Sequence, residues 1–300
     1  MSTRVLVTLI GLSASFLFAL AAWYQQRAAR MTEREGRTIV SSAWALMSKL
    51  VRSRVWLTGW LINLAGFGAQ AVALHLGSVA AVQPLLATQL MFTLPLSSWE
   101  RRMWPSLRDW ASALAICAGL VLLLLVADAA PLTAAADRGR VVLATVAAIA
   151  LIGVLVPVSV RMHPNVMIVV TAGCSGLCFA MTAVFIKLTA DDLVNHGVAY
   201  TATDWVGYAL AGSTLLGLVL EQGAFANGPL PWAVATKESV NPIASYAVGI
   251  LVFPVAFSTS AGTILTLVGA ALLLVAGAIG LGASPSANLW PRRQDGGTNR

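Results

Sequence analysis

Lys237, Glu238 and Asn241 stand inside an apolar stretch that spans residues 228–253, and no other hydrophobic segment of the 300-residue chain holds charges so far from its ends. At helical spacing Glu238, Asn241 and Ser245 share one side, and Lys237 lies beside them on the face of Asn241, which gives the stretch a polar stripe. An ionisable residue at membrane depth is costly, so it faces a bundle interior or a water-filled cavity and is read first as functional. The chemistry open to this set is the binding of a polar solute and the movement of a proton. Lys237, Glu238 and Asn241 are candidate substrate ligands, and Glu238 is also the candidate proton-coupling carboxylate. Pro242 removes one backbone donor, and the sequence predicts a helix break there that bares carbonyls beside the stripe. A competing reading starts the membrane helix at Asn241 and leaves Lys237 and Glu238 in a cytoplasmic loop.

A second polar set lies in the first half of the chain. Residues 55–75 place Asn63, Phe67, Gln70 and Leu74 on one helix side, and residues 79–97 carry Gln83-Pro84 and Thr88-Gln89. Asn63, Gln70, Gln83 and Gln89 are the candidate substrate ligands of this half, with Pro84 a second candidate helix break. A lone membrane glutamine is as well explained by an interhelical hydrogen bond; three in one hairpin is a stronger signal.

The elements that must position these residues follow from composition. A hydrophobic share of 58%, only 10% charged residues and a mean hydropathy of +0.80 are those of a polytopic membrane protein. The expected fold is all-α, a polytopic transmembrane bundle of about nine spans. The net charge of +7 resides in short loops between apolar runs, which a membrane explains and a nucleic-acid partner does not. Cys117, Cys174 and Cys178 lie within apolar segments, so no disulfide framework is expected. Cys174 and Cys178 lack a neighbouring His or carboxylate, and Asp191, Asp192 and His196 read as solvated loop charges, so no metal site is expected. No nucleophile triad, paired acidic motif, phosphate loop or cofactor motif is found, so the chain reads as a non-enzyme without a cofactor.

In order, residues 1–23 form a first transmembrane helix, retained rather than cleaved as a signal, and 24–54 a basic cytoplasmic loop with an interfacial helix. Residues 55–127 complete a first repeat, 128–140 form an external loop, 141–282 a second, five-helix repeat, and 283–300 a disordered cytoplasmic tail. Within the second repeat the helices are expected at 141–160, 165–188, 205–220, 228–253 and 261–281, with a solvated loop at 189–204. Glu221 and Gln222 are placed at the cytoplasmic mouth. Nine spans with the N-terminus outside put fourteen Lys and Arg on the inner side and four on the outer, as the positive-inside rule requires of a plasma-membrane protein with a cytoplasmic C-terminus. Sliding the second half by 151 residues superposes Gly77 on Gly228 and one helix hairpin on the other. The two copies enter from opposite faces, the inverted-repeat pattern of secondary transporters.

The run Trp56-Leu-Thr-Gly-Trp-Leu-Ile-Asn-Leu-Ala-Gly-Phe-Gly68, with Ala73, Gly77 and Val82-Gln-Pro-Leu85, resembles the drug/metabolite transporter (DMT) superfamily, in particular its actinobacterial members and the NIPA-type magnesium transporters. Ala224-Phe225, Gly228-Pro-Leu230, Asn241-Pro242 and the Gly-rich last helix are similar to the EamA-like repeat. The resemblance covers roughly residues 5–282 and implies an inverted-repeat bundle of ten helices whose second helix is missing or shortened here. Where the NIPA-type motif has Gly-Glu this chain has Gly66-Phe67, which removes a carboxylate that Mg2+ would want.

The function expected is secondary transport of a small organic metabolite or amphiphile by alternating access, with one ion pair in an amide-rich cavity favouring zwitterionic or uncharged polar solutes. The alternatives are NIPA-like transport of a divalent cation and a lipid-carrier flippase or accessory membrane protein. The partners called for are the lipid bilayer, a small-molecule or ion substrate and protons, with room for a homodimer and no role for nucleic acid.

Overall fold

The computed structural model describes residues 3–33, 42–77, 79–99, 104–127, 136–253 and 260–283. All regular structure in them is helical: α1 (Thr3–Glu33), α2 (Ser42–Leu50), α3 (Arg54–Leu76), α4 (Val79–Ala87), α5 (Gln89–Trp99), α6 (Leu107–Ala127), α7 (Arg138–Ser159), α8 (Pro164–Thr203), α9 (Trp205–Asn227), α10 (Leu230–Val252) and α11 (Ala261–Gly282). Seven of them, α1, α3, α6, α7, α8, α9 and α11, are long and apolar enough to cross a bilayer. α10 has the length of α3, but its polar stripe lowers its apolarity.

Side chains mark where several helices start. Ser53 accepts from the Trp56 N–H ahead of α3, Asp137 accepts from Gly139 and Arg140 ahead of α7, Asp204 caps α9 and Ser260 accepts from Thr263 ahead of α11. The extended Gly77 and Gly228 end α3 and α9 and begin the two hairpins.

The main contacts pair α1 with α3, α8 with α9, α8 with α10, and α6 with α11. Glycines set the spacing of the first two pairs. A Cβ at Gly66 would stand 2.9 Å from the Phe18 ring of α1, and one at Gly217 would stand 3.3 Å from the Phe179 ring of α8. Gly77 lies under Val7 of α1 in the same way that Gly228 lies under Ile168 of α8. The glycines of each pair are 151 residues apart and the side chains that cover them 161. α1 against α3 therefore repeats the packing of α8 against α9.

Four expectations are corrected. α1 continues to Glu33 rather than ending near residue 23, because Gln25 and Gln26, which look like a helix end, are buried against α9. α8 continues to Thr203, so residues 189–203 are helical, with one interruption at Gly197 (φ +80°, ψ 176°). α9 reaches Asn227 and carries Glu221 and Gln222 into the packed interior. The prolines do not break their helices: Pro84 lies inside α4 and Pro242 inside an uninterrupted α10. The interruption falls at Thr88, between α4 and α5. There Ser15 and Cys117 reach the carbonyls of Leu86 and Ala87, and Thr88 reaches that of Leu85. A helix is found at Ser42–Leu50, within the stretch expected to be interfacial. Most of the expected external loop, 128–135, and the expected tail from 284 onward lie outside the described residues.

Candidate solute-binding cavity

A cavity of about 580 Å³ opens between α1, α3, α4, α5, α6, α8, α9 and α10. Its wall includes Asn63 and Gln70 of α3, Gln89 of α5, and Lys237, Glu238, Asn241 and Pro242 of α10. The structure therefore brings together residues from two polar sets far apart in sequence. Pro84 is not part of the wall; Gln83 lies on α4, and its side chain falls outside the described residues.

Lys237 and Glu238 are helical and partly buried, so the reading that leaves them in a loop does not hold. The Lys237 ammonium donates to Glu221 Oε1 at 2.6 Å and to Glu238 Oε1 at 3.1 Å. The Glu221 side chain is 10% exposed, that of Lys237 16% and that of Glu238 31%. The expected single ion pair is thus a trio, and Glu221 is the residue that sequence reasoning missed. Its polarity suggests the end of a helix, whereas six further residues of α9 follow it. Its signal was its register: 151 residues after Gln70, it occupies the place in α9 that Gln70 occupies in α3.

The amides are available to a ligand. Among the described residues, the Asn63, Gln70 and Gln89 side chains make no hydrogen bond to the protein, and the Asn241 side chain uses only its Oδ1, which accepts from Ser245 at 3.3 Å. None of the three therefore serves as an interhelical staple. That role falls to a buried amide cluster near the end of α1. Gln222 donates to Gln25 at 2.9 Å and accepts from the Trp56 indole at 3.3 Å, and Gln26 donates to the carbonyls of Phe225 and Gly228. Pro242 lacks the N–H that would meet the Glu238 carbonyl, which leaves one more acceptor beside the trio.

The wall repeats itself. Asn63, Phe67 and Gln70 of α3 correspond at a shift of 151 to Thr214, Leu218 and Glu221 of α9, and all six line the cavity. Leu86, Ala87 and Leu90 of α4 and α5 correspond in the same register to Lys237, Glu238 and Asn241 of α10, and these six line it too. The charges are confined to the second half.

A second polar cluster joins the far ends of the helices of that half. Arg138 at the start of α7 donates to Asp192 of α8 at 2.5 Å and to Asp204 at the head of α9 at 2.9 Å. Asp192 is buried, against the expectation of a solvated loop charge, and His196 lies 3.8 Å from it. No group of three or more metal-ligating side chains able to hold an ion occurs among the described residues.

Apolar helices long enough to span a bilayer, enclosing a polar-lined cavity, define a multi-pass membrane protein. No family model matches the chain, and no solved structure does. It is similar to an uncharacterized protein of Corynebacterium glutamicum, 26% identical over 254 residues that cover 84% of this chain and 86% of the relative.

Proposed function

We propose that this protein is a secondary transporter of the drug/metabolite kind, which moves a small organic solute by alternating access between two inverted repeats. The observation that carries the reading is the cavity wall, which positions 63, 67, 70, 86, 87 and 90 of one half share with their counterparts 151 residues later. A site between inverted repeats, with the unpartnered amides of Asn63, Gln70 and Gln89 beside a charged trio, is the arrangement by which one repeat rocks against the other around a bound solute.

In this reading the spans number nine, with α4 and α5 as one interrupted crossing and α10 as the polar one. The N-terminus lies outside and the C-terminus in the cytoplasm of a cell whose plasma membrane holds the protein. The glycine contacts match α1 to α8 and α3 to α9, and the same shift of 151 residues carries α4 and α5 onto α10 and α6 onto α11. That leaves α7 without a counterpart, a different assignment from the shortened second helix that the resemblance implies. Asn63, Gln70, Gln89, Lys237, Glu238 and Asn241 bind solute, Glu221 joins them, and Glu238, the most exposed of the trio, is the proton-coupling carboxylate.

One observation favours a second reading, divalent-cation transport: Glu221 and Glu238 together give the cavity the carboxylate pair that Mg2+ wants. Against it, Lys237 already occupies both carboxylates and repels a divalent ion.

Thermal unfolding of the purified protein and of Glu238→Gln against divalent cations, amino acids, polar metabolites and lipophilic cations tests the proposal, because a ligand of the folded state raises its apparent stability. An organic class that shifts the wild type and not the variant is the expected result. A shift with Mg2+ alone would replace the proposal with the divalent-cation reading, and no shift at all would favour a flippase or accessory role.

A further inference from the structure

The charges on the cavity wall are unequal, and they bear on what the cavity holds. Glu221, Lys237 and Glu238 are the ionisable groups among its lining residues, and when all three are ionised they sum to one negative charge. Lys237 is held closest by the more buried Glu221, while Glu238 is the more exposed partner. The Lys237 ammonium also lies 5.7 Å from the centre of the Phe179 ring, and Phe18, Phe67 and Phe225 line the same space. Two carboxylates and an aromatic face form a site for a cation. The group held at that site is the chain's own ammonium.

Building on the transporter reading, we infer that Lys237 is a tethered stand-in for a monovalent organic cation with N–H donors, an ammonium or guanidinium, which takes over Glu238 while Glu221 retains Lys237. The solute's remaining N–H groups meet the amide oxygens of Asn63, Gln70 and Gln89, which have no protein partner among the described residues. Solute and trio together are neutral. When the solute leaves, Lys237 returns to Glu238, so that no carboxylate is left uncompensated in a low-dielectric wall. In the first half, Gln70, Leu86 and Ala87 hold the places of Glu221, Lys237 and Glu238, so the charge is read by the second half alone.

The test uses the full-length protein in detergent and three probes that share a phenyl ring: phenylethylamine (cation), phenylalanine (zwitterion) and phenylacetate (anion). Thermal unfolding of the wild type should shift with phenylethylamine and not with phenylacetate. Glu238→Gln should weaken phenylethylamine binding roughly tenfold or more. Glu221→Gln should do the same with Glu238 intact, because Lys237 then closes on Glu238, a charge-specific loss that a merely structural role would not give. Lys237→Met should bind phenylethylamine more tightly and accept the dication putrescine; should it fail to fold, the two glutamine variants carry the test. Stabilisation by phenylacetate that Lys237→Met abolishes would make the ammonium an anion receptor. That would overturn the inference and leave the organic-solute transporter standing, as would equal binding of phenylalanine and phenylethylamine. A response to Mg2+ with none to the organic probes would overturn both. Silence with all probes would overturn the cation inference, and the wider solute screen would then decide the transporter reading.

Discussion

Replacing Gly176 with alanine should loosen the packing that holds the charged turn of α10 in place. A Cβ there would stand 2.8 Å from the Lys237 carbonyl oxygen, 3.0 Å from the Asn241 backbone nitrogen and 3.2 Å from the Val240 Cβ. The two nearest atoms are backbone, so no side-chain rotation relieves the contact, and α8 and α10 must move apart. Overpacking of this kind costs about 1–3 kcal/mol. The higher helix propensity of alanine offsets up to about 1 kcal/mol of it, which with the full offset leaves a net loss of about 0–2 kcal/mol, and the same offset acts in the control variant. Gly173, one turn earlier on α8, is the control, since its nearest neighbour would be Val240 Cγ2 at an ordinary 3.6 Å. Gly173→Ala should leave stability unchanged or raise it by up to about 1 kcal/mol. Reversible unfolding in mixed micelles, followed by tryptophan fluorescence, measures both. Equal stability of the two variants would refute the close approach of α8 to α10 and, with it, the placement of Lys237 on the cavity wall.

Arg138→Gln leaves the buried Asp192 without its cation and should destabilise by about 1–3 kcal/mol, less than for a fully buried pair because Arg138 is 41% exposed. Arg140→Gln, which breaks an exposed pair with Asp137, should change stability by less than about 1 kcal/mol in the same unfolding assay. Gln222→Leu deprives both Gln25 and the Trp56 indole of their partner and should cost about 1–2 kcal/mol, with a change in tryptophan emission that Gln70→Leu does not produce. Ser15→Ala removes the hydroxyl that bridges Thr88 and should speed amide hydrogen exchange at the α4–α5 interruption while leaving α10 unchanged.

What the sequence discloses and what it hides divide along physical lines. The polar stripe of α10 was legible because a charge inside an apolar run is rare, and the match of Gly228 to Gly77 predicted that the helix begins early enough to include Lys237. The same reasoning failed where polarity was taken as the end of a helix. Gln25, Gln26, Glu221 and Gln222 all sit past the apolar core of their segments, yet they are buried because they satisfy one another, Lys237 or the carbonyls at the end of α9. Hydropathy along one helix cannot register a partner on another. Asp192 misled for the same reason, its burial being compensated by Arg138, 54 residues earlier. The prolines gave a false position for the helix break because a proline frees a carbonyl without having to interrupt the helix. The interruption at Thr88 coincides instead with the hydroxyls and thiol that cap its carbonyls.

Under the proposed transport, water and solute reach mid-depth between the two halves of the chain, and single cysteines test this without knowledge of the substrate. With Cys117, Cys174 and Cys178 replaced, Asn63→Cys and Thr214→Cys occupy equivalent cavity positions in the two halves, and Ile149→Cys occupies a bilayer-facing position on α7. A membrane-impermeant maleimide applied to either side of sealed vesicles should label positions 63 and 214 from both sides and leave position 149 unlabelled. Failure to label either cavity position, in variants that fold, would contradict a solute pathway between the two halves.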